Sequence, residues 1–132
     1  MDKAQAINDF WNSFGLMAFD ENTVPDYIYD AKGNKIKVEP PYITYDVSTD
    51  NLDRIVTLRA SLWYRSASWQ AITLKSKEIE KRLAEHSGVV IKLDNGYVYL
   101  YPGSPFTQRI NDPDKSIRRI NINLQAEFLT AY

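Results

Sequence analysis

Apolar residues recur along this chain with two different periods, and the change from one to the other falls between Arg65 and Trp69. In RIVTLRASLWYR, residues 54 to 65, the period is two. Val56, Leu58, Ala60, Leu62 and Tyr64 share one face, and Thr57, Arg59, Ser61, Trp63 and Arg65 share the other. Twelve such residues at about 3.3 Å each predict a strand roughly 40 Å long, above the usual length. From Trp69 the spacing becomes three and four. Trp69, Ile72, Ser76, Ile79 and Leu83 form one stripe of a predicted helix, with Ser66 or Ser68 to cap its start and Gly88 as a left-handed stop.

The same reading extends to the rest of the chain. Ala6, Ile7, Phe10, Trp11 and Phe14 predict a helix over residues 3 to 14, ended by Gly15. Residues 20 to 41 carry Pro25, Gly33, Pro40 and Pro41 and read as mostly irregular, before a short strand from Tyr42 to Val47. Asp50 and Asp53 mark a turn ahead of the long strand. VVIKLDNGYVYLY predicts a hairpin with a type I′ turn at Asn95-Gly96, setting Leu93 opposite Val98 and Lys92 opposite Tyr99. Residues 102 to 115, with three prolines, read as a long loop. A last strand alternates Ile120, Ile122, Leu124, Ala126 and Phe128 against Asn121, Asn123, Gln125 and Glu127. Ile117 has the wrong parity for it, which a bulge near Arg118-Arg119 would repair. The expected fold is α+β: one domain, a largely antiparallel sheet of about five strands, and two helices on one face.

Composition narrows the function. Sixteen basic and seventeen acidic residues leave a formal charge of -1, so no global field draws the chain to nucleic acid or membrane. The absence of cysteine excludes disulfides, thiolate zinc sites and thiol nucleophiles. The amphipathic start, MDKAQAINDFWNSFG, does not read as a secretory signal, and no run approaches a membrane span, so a soluble chain is expected.

Candidate chemistry is sparse. His86, the single histidine, reads as a polar group closing the second helix. Asp112 and Asp114 open a sequence like a calcium loop, but its sixth position is Ile117 and its twelfth Asn123, so the EF-hand pattern fails. A metal-dependent hydrolase built on Asp112, Asp114 and His86 stays as an alternative, as does a nucleic-acid module. The latter would use Arg54, Arg59, Arg65, Arg118 and Arg119 with stacking aromatics. No cofactor motif occurs. Tyrosine and tryptophan combine an apolar body with a polar handle and suit protein interfaces. The interface candidates are therefore Trp63, Arg65, Tyr97, Tyr99 and Tyr101 on outward strand faces, with Arg59, Arg118 and Arg119 as charged contacts.

VPDYIYDAKGNKIKVEPPYITYDVSTD followed by TLRASLWYRSASWQAITLKSKEIEKRLAEH resembles the tail terminator, or tail completion, proteins of long-tailed bacteriophages. The pattern is an N-terminal helix, a loop into PYITYDV, a long strand ending in LWYRSAS, a helix running to a glycine, and strands that close the sheet. It spans the chain from about Ile7 to Phe128. The resemblance implies a structural virion protein without enzymatic activity or cofactor. Subunits would form a hexameric ring on the tail tube protein at the head-proximal end of the tail. The ring would stop polymerisation, receive the head completion protein and pass DNA as cargo, with assembly in the host cytoplasm. No membrane is involved. No family motif assigns individual residues, so the interface candidates above rest on this sequence alone. The loops at 20 to 41 and 102 to 115 are expected to reach neighbouring subunits or the tube. Another head–tail joining protein is the nearest alternative.

Overall fold

The structure, a computed structural model, describes residues 1–21, 23–46 and 55–130. Its helices are α1 (Lys3–Asn12) and α2 (Gln70–Ala84). Its strands are β1 (Met17–Asp20), β2 (Tyr27–Tyr29), β3 (Lys35–Lys37), β4 (Tyr42–Tyr45), β5 (Ile55–Arg65), β6 (Val89–Leu93), β7 (Gly96–Ile110) and β8 (Ile117–Thr130). Six strands make one sheet in the order β1-β4-β5-β8-β7-β6, and β2 and β3 form a separate hairpin. The expected α+β class holds, but the expected five strands become six plus two. The sheet is also mixed, because β1 lies parallel to β4. A parallel neighbour needs a long connection, and residues 21 to 41 supply it. That segment, expected to be irregular, contains the β2–β3 hairpin. Arg54, Val47, Asp50 and Asp53 lie outside the described residues, so the turn expected at the two aspartates does too.

The centre of the sheet is β5 against β8, antiparallel and in unbroken register from Ile55↔Glu127 to Arg65↔Ile117. Val56, Leu58, Ala60 and Leu62 therefore share a face with Ile120, Ile122, Leu124 and Ala126, and all eight are buried. The bulge expected at Arg118-Arg119 is not there. Ile117 simply points to the opposite face, beside Arg65. The irregularity falls instead in β7, which runs through most of the stretch expected to be a loop. Pro102 pairs with Leu124 and Thr107 with Ile122, so residues 103 to 106 stand opposite Asn123 alone. Asn123 clasps this excursion, its side-chain amide donating to the Pro105 carbonyl at 2.9 Å. Beyond it, Thr107 and Arg109 come round to the helix side, and the Arg109 guanidinium lies 4.7 Å from the Trp69 ring centre.

Both helices press their apolar stripes into one hydrophobic cluster on that side of the sheet. In α1, Asp2 caps the Gln5 amide at 2.8 Å, and Ala6, Ile7, Phe10 and Trp11 are buried. In α2 the buried residues are Ile72, Ser76, Ile79 and Leu83, the spacing the sequence predicts. Side chains of this size contribute about 1.5–3 kcal/mol each when fully buried, so packing rather than intrinsic propensity holds α2. The helices are also tied to each other. Lys75 donates to the Phe14 carbonyl at 2.9 Å, and the Arg82 guanidinium sits 5.2 Å from the Phe14 ring centre. The Ser68 hydroxyl accepts from the Gln70 amide at 3.1 Å at the start of α2. At its end the left-handed residues are His86 and Ser87, with φ of 59° and 64°, and Gly88 at φ 126° follows rather than makes the stop.

The β6–β7 hairpin forms where expected but two residues out of the expected register. Its turn is Asp94-Asn95, with Leu93 opposite Gly96 and Lys92 opposite Tyr97. Neither turn residue has positive φ, so the turn is not type I′. A slip of two preserves the faces, and Leu93, Val98 and Leu100 are buried as predicted. Gly96 is fixed by its neighbours: its φ is +154° and an added Cβ would stand 2.0 Å from the Leu129 carbonyl oxygen. Gly96→Ala is expected to cost about 2–3 kcal/mol, since backbone on both sides must move. The check is the urea midpoint at unchanged denaturant slope, and a loss within error would mean the strands part easily here.

Candidate interaction face

The face of the sheet opposite the helices is built from the odd-numbered residues of β5 and β8 and of the first half of β7, and the even-numbered residues of β4 and β6. Three zones follow one another along the strands. At one end Phe19, Tyr42 and Trp63 lie side by side, with ring centres 6.1 and 6.4 Å apart, and Arg119 lies over Trp63 at 4.5 Å. In the middle is a polar concavity of about 230 Å³ lined by Thr44, Ser61, Asn121 and four charged residues. At the far end the apolar residues Ile55, Val90, Tyr97 and Leu129 are 47%, 63%, 48% and 40% exposed. Strand pairing makes them one group, because Tyr97 pairs with Leu129, Val90 with Tyr99, and Tyr99 and Ile55 both with Glu127. Scattered exposed apolar residues are ordinary, whereas a contiguous group on one face marks a binding surface.

A second exposed apolar group lies on the β2–β3 hairpin, whose strands pair only with each other. Tyr27 and Tyr29 are exposed on one of its faces and Ile36 on the other, and Lys35 lies 4.0 Å above the Tyr27 ring. A lone two-stranded hairpin is marginal in water, so its tip needs local support. Asp30 gives it. Its carboxylate accepts from the Lys32 and Asn34 amides at 2.9 and 2.8 Å, and from the Asn34 side chain at 3.1 Å.

The residues singled out in the sequence divide between free and occupied. Tyr97 is free and exposed. Tyr99 and Tyr101 stack with ring centres 5.0 Å apart, and the Tyr99 hydroxyl donates to the Ser87 carbonyl. Trp63 is half-buried and donates its indole N–H to Thr44 at 2.9 Å. Arg65 donates to Ser116 at 3.2 Å and lies 4.0 Å from Asp114. Arg59 and Arg119 both line the concavity. Arg118 lies on the other face: it donates to the Ala67 carbonyl at 2.8 Å and covers Trp69 at 5.3 Å, so it is spent holding the start of α2. Ile55, Val90, Leu129 and the hairpin residues were not singled out, although each of the first three is an apolar residue out of phase with its strand.

The groups considered for catalysis do not converge. Asp112 and Asp114 fold a local turn, accepting from the Asp114 and Ser116 amides at 2.9 Å each. Hydrogen bonds from the Ser116 hydroxyl and amide, in that order, hold the Asp114 carboxyl below its ordinary pKa, with Arg65 adding to the effect. This turn meets the start of α2, since Ser66 donates its amide to the Ser116 carbonyl. His86 lies beyond the other end of that fifteen-residue helix. Among the described residues no three His, Cys, Asp or Glu side chains gather as a metal site.

No family model matches this chain, and no curated protein or solved structure matches it. The face must be read on its own geometry.

Two measurements test that geometry. Trp63→Phe removes the indole N–H that Thr44 accepts and part of the platform under Arg119, and about 1 kcal/mol of stability should go with it. Equal denaturant midpoints for the variant and the parent would show that the bond contributes nothing. For the hairpin, hydrogen bonds from the Asn34 amide and then its side chain lower the Asp30 pKa. A depressed carboxyl stabilises above its unfolded pKa and loses that effect as pH falls through the lowered value. Protection of the Lys32 and Asn34 amides against hydrogen exchange, taken relative to the intrinsic rate at each pH, should therefore fall as the pH drops below the ordinary carboxylate range, ahead of any loss of protection in the main sheet. Asp30→Ala should show the fast exchange already at neutral pH.

Proposed function

We propose that this chain is a structural subunit of a phage virion, a tail terminator that caps the tail tube as a ring and presents a surface for the head completion protein. The observation that carries the reading is the exposed apolar corner of Ile55, Val90, Tyr97 and Leu129 on a sheet face that no helix covers among the described residues. Tyr27 and Tyr29, on one face of the hairpin, add a second exposed pair elsewhere on the same chain. Two different patches per subunit suit a heterologous, head-to-tail contact, which closes into a ring when the rotation per subunit divides a full turn. Six such contacts would make the hexamer that the resemblance implies. In this reading the chain turns over no substrate and needs no cofactor. Its work is to bury these patches against copies of itself and against the tube protein, while DNA passes through the ring.

The neighbouring reading, a different protein of the head–tail joint, shares the same surface logic and separates on one measurement. Tails assembled in the presence of a terminator have capped tubes of fixed length. A joining protein that acts on the portal side leaves tube length unchanged, and unrestricted tubes would reject the terminator.

Val90→Asp combined with Tyr97→Asp should abolish association, seen as the mass in solution with and without tail tube protein. Because both side chains are largely exposed, the loss of stability should stay near the strand-propensity difference of about 1 kcal/mol per site and leave the fold intact. Association that survives both charges would place the contact elsewhere.

A further inference from the structure

The concavity in the middle of the outer face has an internal order that the assembly reading does not use. Arg119 is fixed at two points. Its guanidinium lies over the Trp63 ring, its Nε donates to the Ser61 hydroxyl at 3.2 Å, and Ser61 in turn donates to Asn121 at 2.7 Å. Ser61 and Thr44 are buried beneath it. The two terminal nitrogens of Arg119 make no hydrogen bond among the described residues, so the end of the fork that grips an acid is presented and unused. Arg59 stands two residues along β5 from Ser61, on the same face, with its side chain likewise unengaged. A guanidinium held rigid at its base with a free fork is the arrangement that takes a carboxylate in two parallel hydrogen bonds.

The opposite wall carries the opposite sign. Glu21 and Asp46 follow the ends of β1 and β4 and line the same space. No ion pair joins either of them to Arg59 or Arg119 among the described residues. Two cations and two anions thus share one concavity, Asp46 beside Arg59 across β4 and β5, with no ion pair at contact distance among the described residues. The acids would repel a phosphate and the guanidiniums would repel a metal ion, so neither fits the whole lining. What does fit is a ligand carrying both signs, with a carboxylate toward β5 and β8 and a cation toward β1 and β4.

We propose that this concavity is a binding site for a zwitterionic group, a carboxylate with a cationic nitrogen in the same ligand. A free amino acid has that chemistry, and so do adjacent acidic and basic side chains on a peptide. The site is complete in one chain, so the proposal stands whether or not the chain caps a tail.

The test is a titration of the whole isotope-labelled chain followed by NMR, reading the Trp63 indole N–H and the Asn121 side-chain amide. Probes are glycine, N-acetyl-Glu-Lys-amide, N-acetyl-Glu-amide and sodium phosphate at constant ionic strength. Glycine or the capped dipeptide should shift both signals saturably, and the better of the two identifies a free amino acid or a peptide as the source. Removing the cation, as in N-acetyl-Glu-amide, should weaken binding by roughly tenfold, as should Arg59→Gln or Asp46→Asn in the protein. These are the informative variants, because Arg119→Gln also undoes the packing on Trp63. Phosphate binding as tightly as either zwitterion would overturn the proposal, and so would shifts that persist unchanged in both variants or the absence of saturable shifts with any probe.

Discussion

The uninterrupted pairing of β5 with β8 is the constraint on which the rest of the structure depends. Eleven residue pairs in one register sort every side chain of both strands to one of two faces. A slip of β5 by a single residue would put Leu58 and Leu62 in water and Arg59 in the core, and a slip of β8 would do the same to Ile122 and Leu124 and to Asn121 and Asn123. The cost of either slip, at about 1.5–3 kcal/mol for each large apolar side chain, is comparable to the whole stability of an ordinary domain. That penalty keeps the helices on one side and leaves the other side available.

The available side is organised by the same register. Because β4 adds to β5 with Thr44 opposite Ser61 and Tyr42 opposite Trp63, the hydroxyl-lined floor and the aromatic row lie next to each other. Because β7 adds to β8 with Tyr97 opposite Leu129, the apolar corner is set at the far end. Polar recognition and apolar adhesion are thereby separated along a single plane. Arg119 sits at the boundary, stacked on the aromatic row and bonded to the floor.

Much of this was legible in the chain. The faces of β5, β8 and the β6–β7 hairpin follow from period-two alternation, and the stripe of α2 from its spacing. Proline misled in two places. Pro102 and Pro105 predict a loop, but a strand at a register break tolerates residues that cannot donate, and β7 continues past both. The dipeptide Asn95-Gly96 predicts the hairpin turn at those two residues. In fact the close approach of Leu129 claims Gly96 for the first pair of the strand, a tertiary demand that local sequence does not display. The apolar corner was missed for a different reason. Ile55, Val90 and Leu129 each break their strand's alternation by one position, and alternation alone gives such a residue no place; at Ile117 it suggests a bulge instead. Out-of-phase apolar residues on several strands that pair with one another were the available signal. The hairpin gave less, since three-residue strands rich in lysine and tyrosine have little periodicity to read.

The excursion of β7 at residues 103 to 106 sets a rule of counting. Four residues facing one leave a surplus of three, and an odd surplus exchanges the sides of everything that follows on the strand. It is this exchange that brings Arg109 to the helix side of the sheet, where it and Arg118 both lie over Trp69. Lengthening or shortening the segment by two would leave both cations on the indole. A change by one would turn Arg109 outward and hand the ring to Gln108 on insertion or to Ile110 on deletion, so the tolerance of this stretch to a change of length is governed by whether the number is even.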